Sequence, residues 1–156
     1  MNTYVVDTNV LLRTLQPAHS MYMSASRSIA LLIKQGESLC VCPQSIYECW
    51  VVATRPLAQN GLGMTTDQIH SEIEVFKTYL SVLPDTPAGF PVWEQLVLQY
   101  SVKGKPAHDA RIVAAMKAHG VTHLLTFNTG DFARYQGIIA VTPDAIVNPP
   151  ASPSNP

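Results

Sequence analysis

Apolar residues along this chain fall into two rhythms. Short runs at 3–6 ("TYVV"), 38–42 ("SLCVC"), 81–84 ("SVLP"), 123–127 ("HLLTF") and 137–141 ("GIIAV") read as buried strands. Between them, apolar residues recur at three- or four-residue intervals, the mark of helices packing one face. The first helix covers 9–15 and stops near Pro17. A second runs from Ser20 to Gln35 on Ala25, Ile29, Leu32 and Ile33, with Gly36 as its stop. A third, 44–55, is opened by Pro43 and Ser45 and ended by Pro56. After a loop at 57–64, Thr65 or Thr66 caps a helix through Tyr79 with Ile69, Ile73 and Phe76 inward. The stretch 89–102 holds a helix around Trp93, Leu96, Val97 and Tyr100, closed by the "KGKP" loop. The clearest helix is 107–120, stopped at Gly120.

Strands alternating with helices require parallel pairing through right-handed crossovers. The expected fold is therefore α/β: a three-layer α/β/α domain around a central parallel sheet of about five strands. It occupies 1–147, and the Pro/Ser-rich tail 148–156 is expected to be disordered or draped on the surface. In such sheets ligands gather at the carboxyl ends of the strands, where strand order reverses.

Composition sharpens one feature. Charged residues make up 13% of the 156, against roughly 25% in ordinary soluble domains. An acid inside an apolar run is therefore conspicuous. No apolar run approaches the ~20 residues of a membrane helix, so no membrane association is expected. The start lacks a basic segment followed by an apolar one. Cys40, Cys42 and Cys49 are odd in number and close together, which suits a reducing cytoplasm. Cys40 and Cys42 share a strand face and read as buried thiols, since no matching Cys/His pair follows at ligand spacing.

Four acids stand in apolar surroundings. Asp7 follows "TYVV" directly, and Glu48 is the only charge in "SIYECWVVA", a helix apolar enough to be buried on nearly every face. Asp109 opens the clearest helix on the stripe of Ile112, Val113 and Met116, and Asp131 follows the fourth strand in "TFNTGDF". Each has an ordinary reading alone. Asp7 could cap a helix, Asp109 could complement a helix dipole, Glu48 could pair with Arg55, and Asp131 could close a turn. Together they lie at one rim of the expected sheet. Carboxylates crowded this way repel unless a divalent cation neutralises them, and all-oxygen ligands suit Mg²⁺ or Mn²⁺. His108, beside Asp109, is tempting as a base, but a helix-start histidine facing solvent is the simpler reading.

These stretches ("VVDTNVLL", the lone Glu48, "HDARIVAAMKAHGVTHLLTFNTGDFARY" and "GIIAVTP") resemble a PIN-domain ribonuclease. The likeness is strongest to the VapC-like toxins of type II toxin–antitoxin modules, and it runs from about Tyr4 to Pro143. It implies a PIN-like nuclease domain that hydrolyses RNA phosphodiesters with Mg²⁺ or Mn²⁺. Asp7, Glu48 and Asp109 would be the metal-holding triad, with Asp131 a fourth, more variable acid. Many relatives carry an Asp two residues after the strand Thr, where this chain has Asn128. Thr8, Asn9, Thr126 and Asn128 would orient the carboxylates. The resemblance further implies a homodimer and a small antitoxin lying in an apolar groove of the second and third helices. Ile29, Ile33, Trp50 and Leu57 are candidate walls, and equally candidate core.

The net charge of −1 excludes a strongly basic nucleic-acid-coating protein and leaves a nucleic-acid enzyme open. Setting the four rim acids aside leaves 10 − (11 − 4) = +3 on the rest, enough for modest attraction to phosphates. Lys103, Lys105, Arg13, Arg111 and Arg134 are candidate RNA contacts, and each also reads as a solvated charge. Two alternatives stand beside the nuclease. An aspartyl-nucleophile phosphatase typically needs a second acid two residues after the first, where this chain has Asn9. A catalytically inactive PIN-fold RNA-binding or scaffold module predicts a broken acid set, whereas all four acids are present.

Overall fold

Five parallel strands form one sheet in the order β3-β2-β1-β4-β5. The structure, a computed structural model, describes residues 1–153. The strands are β1 (Thr3–Val6), β2 (Ser38–Val41), β3 (Ser81–Val82), β4 (His123–Leu125) and β5 (Ile139–Val141). The helices are α1 (Thr8–Thr14), α2 (Tyr22–Lys34), α3 (Pro43–Thr54), α4 (Thr66–Tyr79), α5 (Gly89–Gln99), α6 (Pro106–Ala118) and α7 (Pro143–Val147).

Alternation along each strand builds the two cores. Tyr4, Val6, Leu39, Val41 and Leu125 pack on one side with residues of α1 to α4 and α7. Val5, Cys40, Cys42 and Leu124 face the other side, under α5 and α6. The result is the three-layer α/β/α arrangement that the alternation of runs predicts. Val5, Val6, Leu124 and Leu125 are fully buried, each worth roughly 1.5–3 kcal/mol of transfer free energy. Cys40 and Cys42 are buried, free thiols on the same side, as their spacing suggests.

The departures are local. β3 has two residues rather than four: Ser81 and Val82 pair with β2 at the sheet edge, and beyond them the Leu83 amide donates once more to the Val41 carbonyl at 2.9 Å. α2 begins at Tyr22, after backbone turns that join Gln16 to His19 and His19 to Tyr22. α5 ends at Gln99, where Ser101 takes a positive φ of 50°. α7 is absent from the sequence reading because five residues are too few to show a period. Thr142 caps it, accepting from the Ala145 amide, and Pro143 occupies its first turn.

α3 is a correction. It is not buried on nearly every face: Tyr47 is 60% and Val51 57% exposed, so its apolar stripe runs past the core to the surface. Of the expected groove walls, Ile29 is core, Trp50 packs partly against it, and Ile33 and Leu57 are exposed. Residues 148–153 form no helix or strand, and the end of the tail expected to be disordered, 154–156, lies outside the described residues. Among the described residues, no helix is long and apolar enough to cross a membrane.

Strand order reverses between β1 and β4, which pair with Val6 opposite Leu125. The carboxyl ends of those two strands lie under Asp7 and Thr126.

Candidate metal centre

Asp7 is the first residue past β1, and its amide donates to the Leu125 carbonyl at 3.0 Å. The backbone is thus tied across the point of reversal. Its side chain caps α1, with Oδ1 accepting from the Thr8 amide at 2.8 Å, so the ordinary helix-cap reading is correct as far as it goes. The cap uses one oxygen. The other, Oδ2, accepts from the Thr126 hydroxyl at 2.8 Å and from Asn9 Nδ2 at 3.4 Å.

Asn9 works as a pin between α1 and the segment after β4. Its Nδ2 also donates to Thr126 Oγ1 at 3.1 Å, and its Oδ1 accepts from the Phe127 amide at 3.2 Å. This leaves no acid two residues after Asp7, the position the aspartyl-nucleophile reading would fill.

Glu48 projects from α3 toward the same rim. Thr8 Oγ1 donates to its Oε2 at 2.9 Å, and Gln44 Nε2 to its Oε1 at 2.9 Å. Gln44 Nε2 also donates to the His108 carbonyl at 2.9 Å, immediately before Asp109. One buried amide therefore joins α3 to the start of α6. Gln44 is absent from the sequence reading, although its place one turn before Glu48 is the signal that could have found it. Its Oε1 has no hydrogen-bond partner, and the opposite amide orientation would aim oxygen at two acceptors.

The carboxylates feel one another. Burial pushes Asp7 above the ordinary carboxylate range, its hydrogen bonds from Thr126 and Thr8 oppose this, and the charges of Glu48 and Asp131 push the same way as burial. Asp109 is pushed up to about 6, by burial first and then by Asp7, Asp131 and Glu48, with His108 opposing. Among the described residues none of the four has a Lys, Arg or His within ion-pair distance, so the Glu48–Arg55 pairing is not formed. Neutral donors hold charges that repel. Such a donor set fits a hard cation.

Among the described residues, no three His, Cys, Asp or Glu stand at metal-holding spacing.

The remaining sequence-derived residues divide. Asp131 sits in a 3-10 turn, Thr129–Phe132, and is exposed at the edge of the rim. The Asn128 amide donates to Thr126 Oγ1, while its side chain is exposed. His108 is exposed and meets the site through its carbonyl. Lys103, Lys105 and Arg134 are exposed. Arg13 is bonded to Gln16 at 2.7 Å, and Arg111 lies 3.6 Å from Asp85.

A model of the PIN domain family matches residues 4–138. Among solved structures, the fold is similar to a chain of the VapBC2 complex of Rickettsia felis bound to a DNA fragment from its promoter. That match has TM-score 0.70 and 16% identity, covering 90% of this chain and 98% of that one. DNA-bound VapBC of Salmonella typhimurium gives TM-score 0.68 at 18% identity, covering 92% and 99%. VapC20 of Mycobacterium tuberculosis, a sarcin-ricin-loop-cleaving toxin, gives 0.61 at 16%, covering 83% and 93%. No curated protein matches the chain in sequence. Identities this low show shared fold alone, but the family match spans most of the molecule, and the chain belongs to the PIN domain family.

Proposed function

We propose that this chain is a divalent-metal-dependent endoribonuclease and the toxin of a toxin–antitoxin pair, acting in the cytoplasm as a homodimer held in check by a small antitoxin. The observation that carries the nuclease reading is the rim itself. Carboxylates from the end of β1, from α3 and from α6 act on one another, and Thr8, Asn9, Gln44 and Thr126 fix the oxygens of Asp7 and Glu48. The toxin reading rests on the fold shared with VapBC complexes and with a toxin that cleaves the sarcin-ricin loop.

Asp7, Glu48 and Asp109 would hold Mg²⁺ or Mn²⁺, with Asp131 closing the outer side. When bound, such an ion supplies Lewis-acid chemistry, stabilising charge on the phosphoryl group and acidifying the hydrolytic water. The chain's own contribution is placement. Thr126 and Thr8 each donate to a carboxylate oxygen, turning it to a set direction. Gln44 keeps Glu48 in register with the start of α6. Asp109, at about 6, is mostly ionised at neutral pH and so presents a charged ligand there.

The test is cleavage of total RNA by the purified chain. Cutting is expected with Mg²⁺ or Mn²⁺ and not in excess EDTA. Undiminished cleavage in EDTA contradicts the proposal.

A further inference from the structure

A cavity of about 440 Å³, unused by the chemistry above, opens where the loop after β3 meets the start of α5 and the outer stripe of α6. Its size falls in the roughly 300–1,000 Å³ range of small-ligand sites. Phe90, 65% exposed, is stacked on Trp93 with ring centroids 6.0 Å apart and planes 26° from parallel. Trp93 is itself anchored, its Nε1 donating to the Ala107 carbonyl at 2.8 Å. An exposed ring backed by a fixed one is a platform on which a planar heterocycle can stack. On the same cavity, Asp85 Oδ2 and Arg111 Nη2 stand 3.6 Å apart, both side chains more than half exposed. An ion pair so open to water is weak and can exchange its partner for a ligand. His119 frames the far side, its ring nitrogen 2.8 Å from the Pro84 carbonyl.

We propose that this cavity is a guanine-binding subsite for RNA. Stacking alone accepts any base, and the pair beside it selects. Among the four RNA bases only guanine presents two adjacent N–H donors, N1–H and N2–H, to one carboxylate, and its O6 and N7 accept from a guanidinium. Asp85 takes the donors and Arg111 the acceptors. The subsite and the acidic rim share α6. Arg111 is two residues beyond Asp109 on α6, and Trp93 is tied to Ala107, two residues before it.

The role as a specificity device rests on the nuclease reading; binding of the base does not. The full chain is titrated with guanosine, adenosine, cytidine and uridine 5′-monophosphates in EDTA. The readout is the fluorescence of Trp93 in a Trp50→Phe background. Guanosine monophosphate is expected to shift the signal saturably and to bind at least about tenfold more tightly than the other three. Phe90→Ala and Asp85→Asn, both at exposed positions, are each expected to weaken it about tenfold or more. Equal binding of all four nucleotides, no binding of any, or full guanosine monophosphate binding by Phe90→Ala overturns the proposal. So does a dimer lost in Phe90→Ala without nucleotide binding in the parent, which would make this face a protein contact. Guanosine monophosphate binding in a chain that never cuts RNA upholds the subsite and removes the nuclease reading instead.

Discussion

Acidic side chains behave in opposite ways at the rim and on the outer face of α4. Glu74 is exposed and sits within ion-pair distance of Lys77 and His70, and its hydrogen bond to Lys77 pulls its carboxyl below the usual range. Among the described residues Asp7 and Asp109 have no base within ion-pair distance, and burial together with the other rim acids pushes both carboxyls up. The first arrangement is the routine solvated face of a helix, where a charge finds its partner in the chain. The second leaves charge uncompensated while Thr8, Asn9, Gln44 and Thr126 orient the carboxylates of Asp7 and Glu48. A protein tolerates that where compensation comes from outside.

The sharpest way to break this contrast is at the rim. Asp7→Asn and Asp109→Asn are each expected to cut RNA cleavage by more than the roughly 10–100-fold that an outer orienting partner costs. Gln44→Glu ranks next. It replaces the shared amide donor with a carboxylate facing Glu48 and the His108 carbonyl. The turnover rate should fall roughly 10–100-fold and the metal concentration for half-maximal cleavage should rise. Folding should weaken by about 1–3 kcal/mol. A loss of stability with turnover and metal requirement unchanged would make Gln44 a packing residue only.

A smaller effect appears in pH. Asp109 is raised in the fold, so between its ordinary 3.8 and about 6 the folded chain binds more protons than the unfolded one. Stability of the metal-free protein should therefore fall as pH rises through that window and level off above it. With the carboxyl partly open to water, the drop should be roughly 1 kcal/mol. Chemical denaturation in EDTA at pH 4.5 and pH 7 measures it against Asp109→Asn, which should lose this part of the slope. The smallest effect belongs to α4: Glu74→Gln should cleave RNA as the parent does, with a change in melting temperature at the limit of detection.

The two regions also differ in how far the amino-acid pattern announces them. Continuous apolar runs such as "TYVV" and "HLLTF", with helical stripes between, announce the sheet and six of the seven helices among the described residues. α7 escaped because its signal is only a cap and a proline ahead of five residues. At the rim, Asp7, Glu48 and Asp109 stood out as acids among apolar neighbours. Thr8, Asn9 and Thr126 could be named only through the resemblance, since a threonine hydroxyl reaching 119 positions back in sequence to Asp7 has no local trace. Gln44 carries a local signal in its place one turn before Glu48, but the other half of its role, a bond to a carbonyl 64 residues away, has none. Apolar composition alone does not say which helix face the fold covers, so the exposure of Tyr47 and Val51 is not announced by the pattern.

The central claim is that the rim acids carry charge for a cation and not for the fold, and metal-linked thermal unfolding tests it most directly. The parent and Asp109→Asn are melted in EDTA and in millimolar Mn²⁺. The account predicts that Mn²⁺ raises the parent's melting temperature, by as much as about 2.7 kcal/mol of stability at one hundred times the dissociation constant. Asp109→Asn should gain little from Mn²⁺ and should melt in EDTA at or above the parent, because like-charge repulsion has been relieved. An Asp109→Asn protein that melts far lower in EDTA, yet is stabilised by Mn²⁺ as much as the parent, would contradict the account.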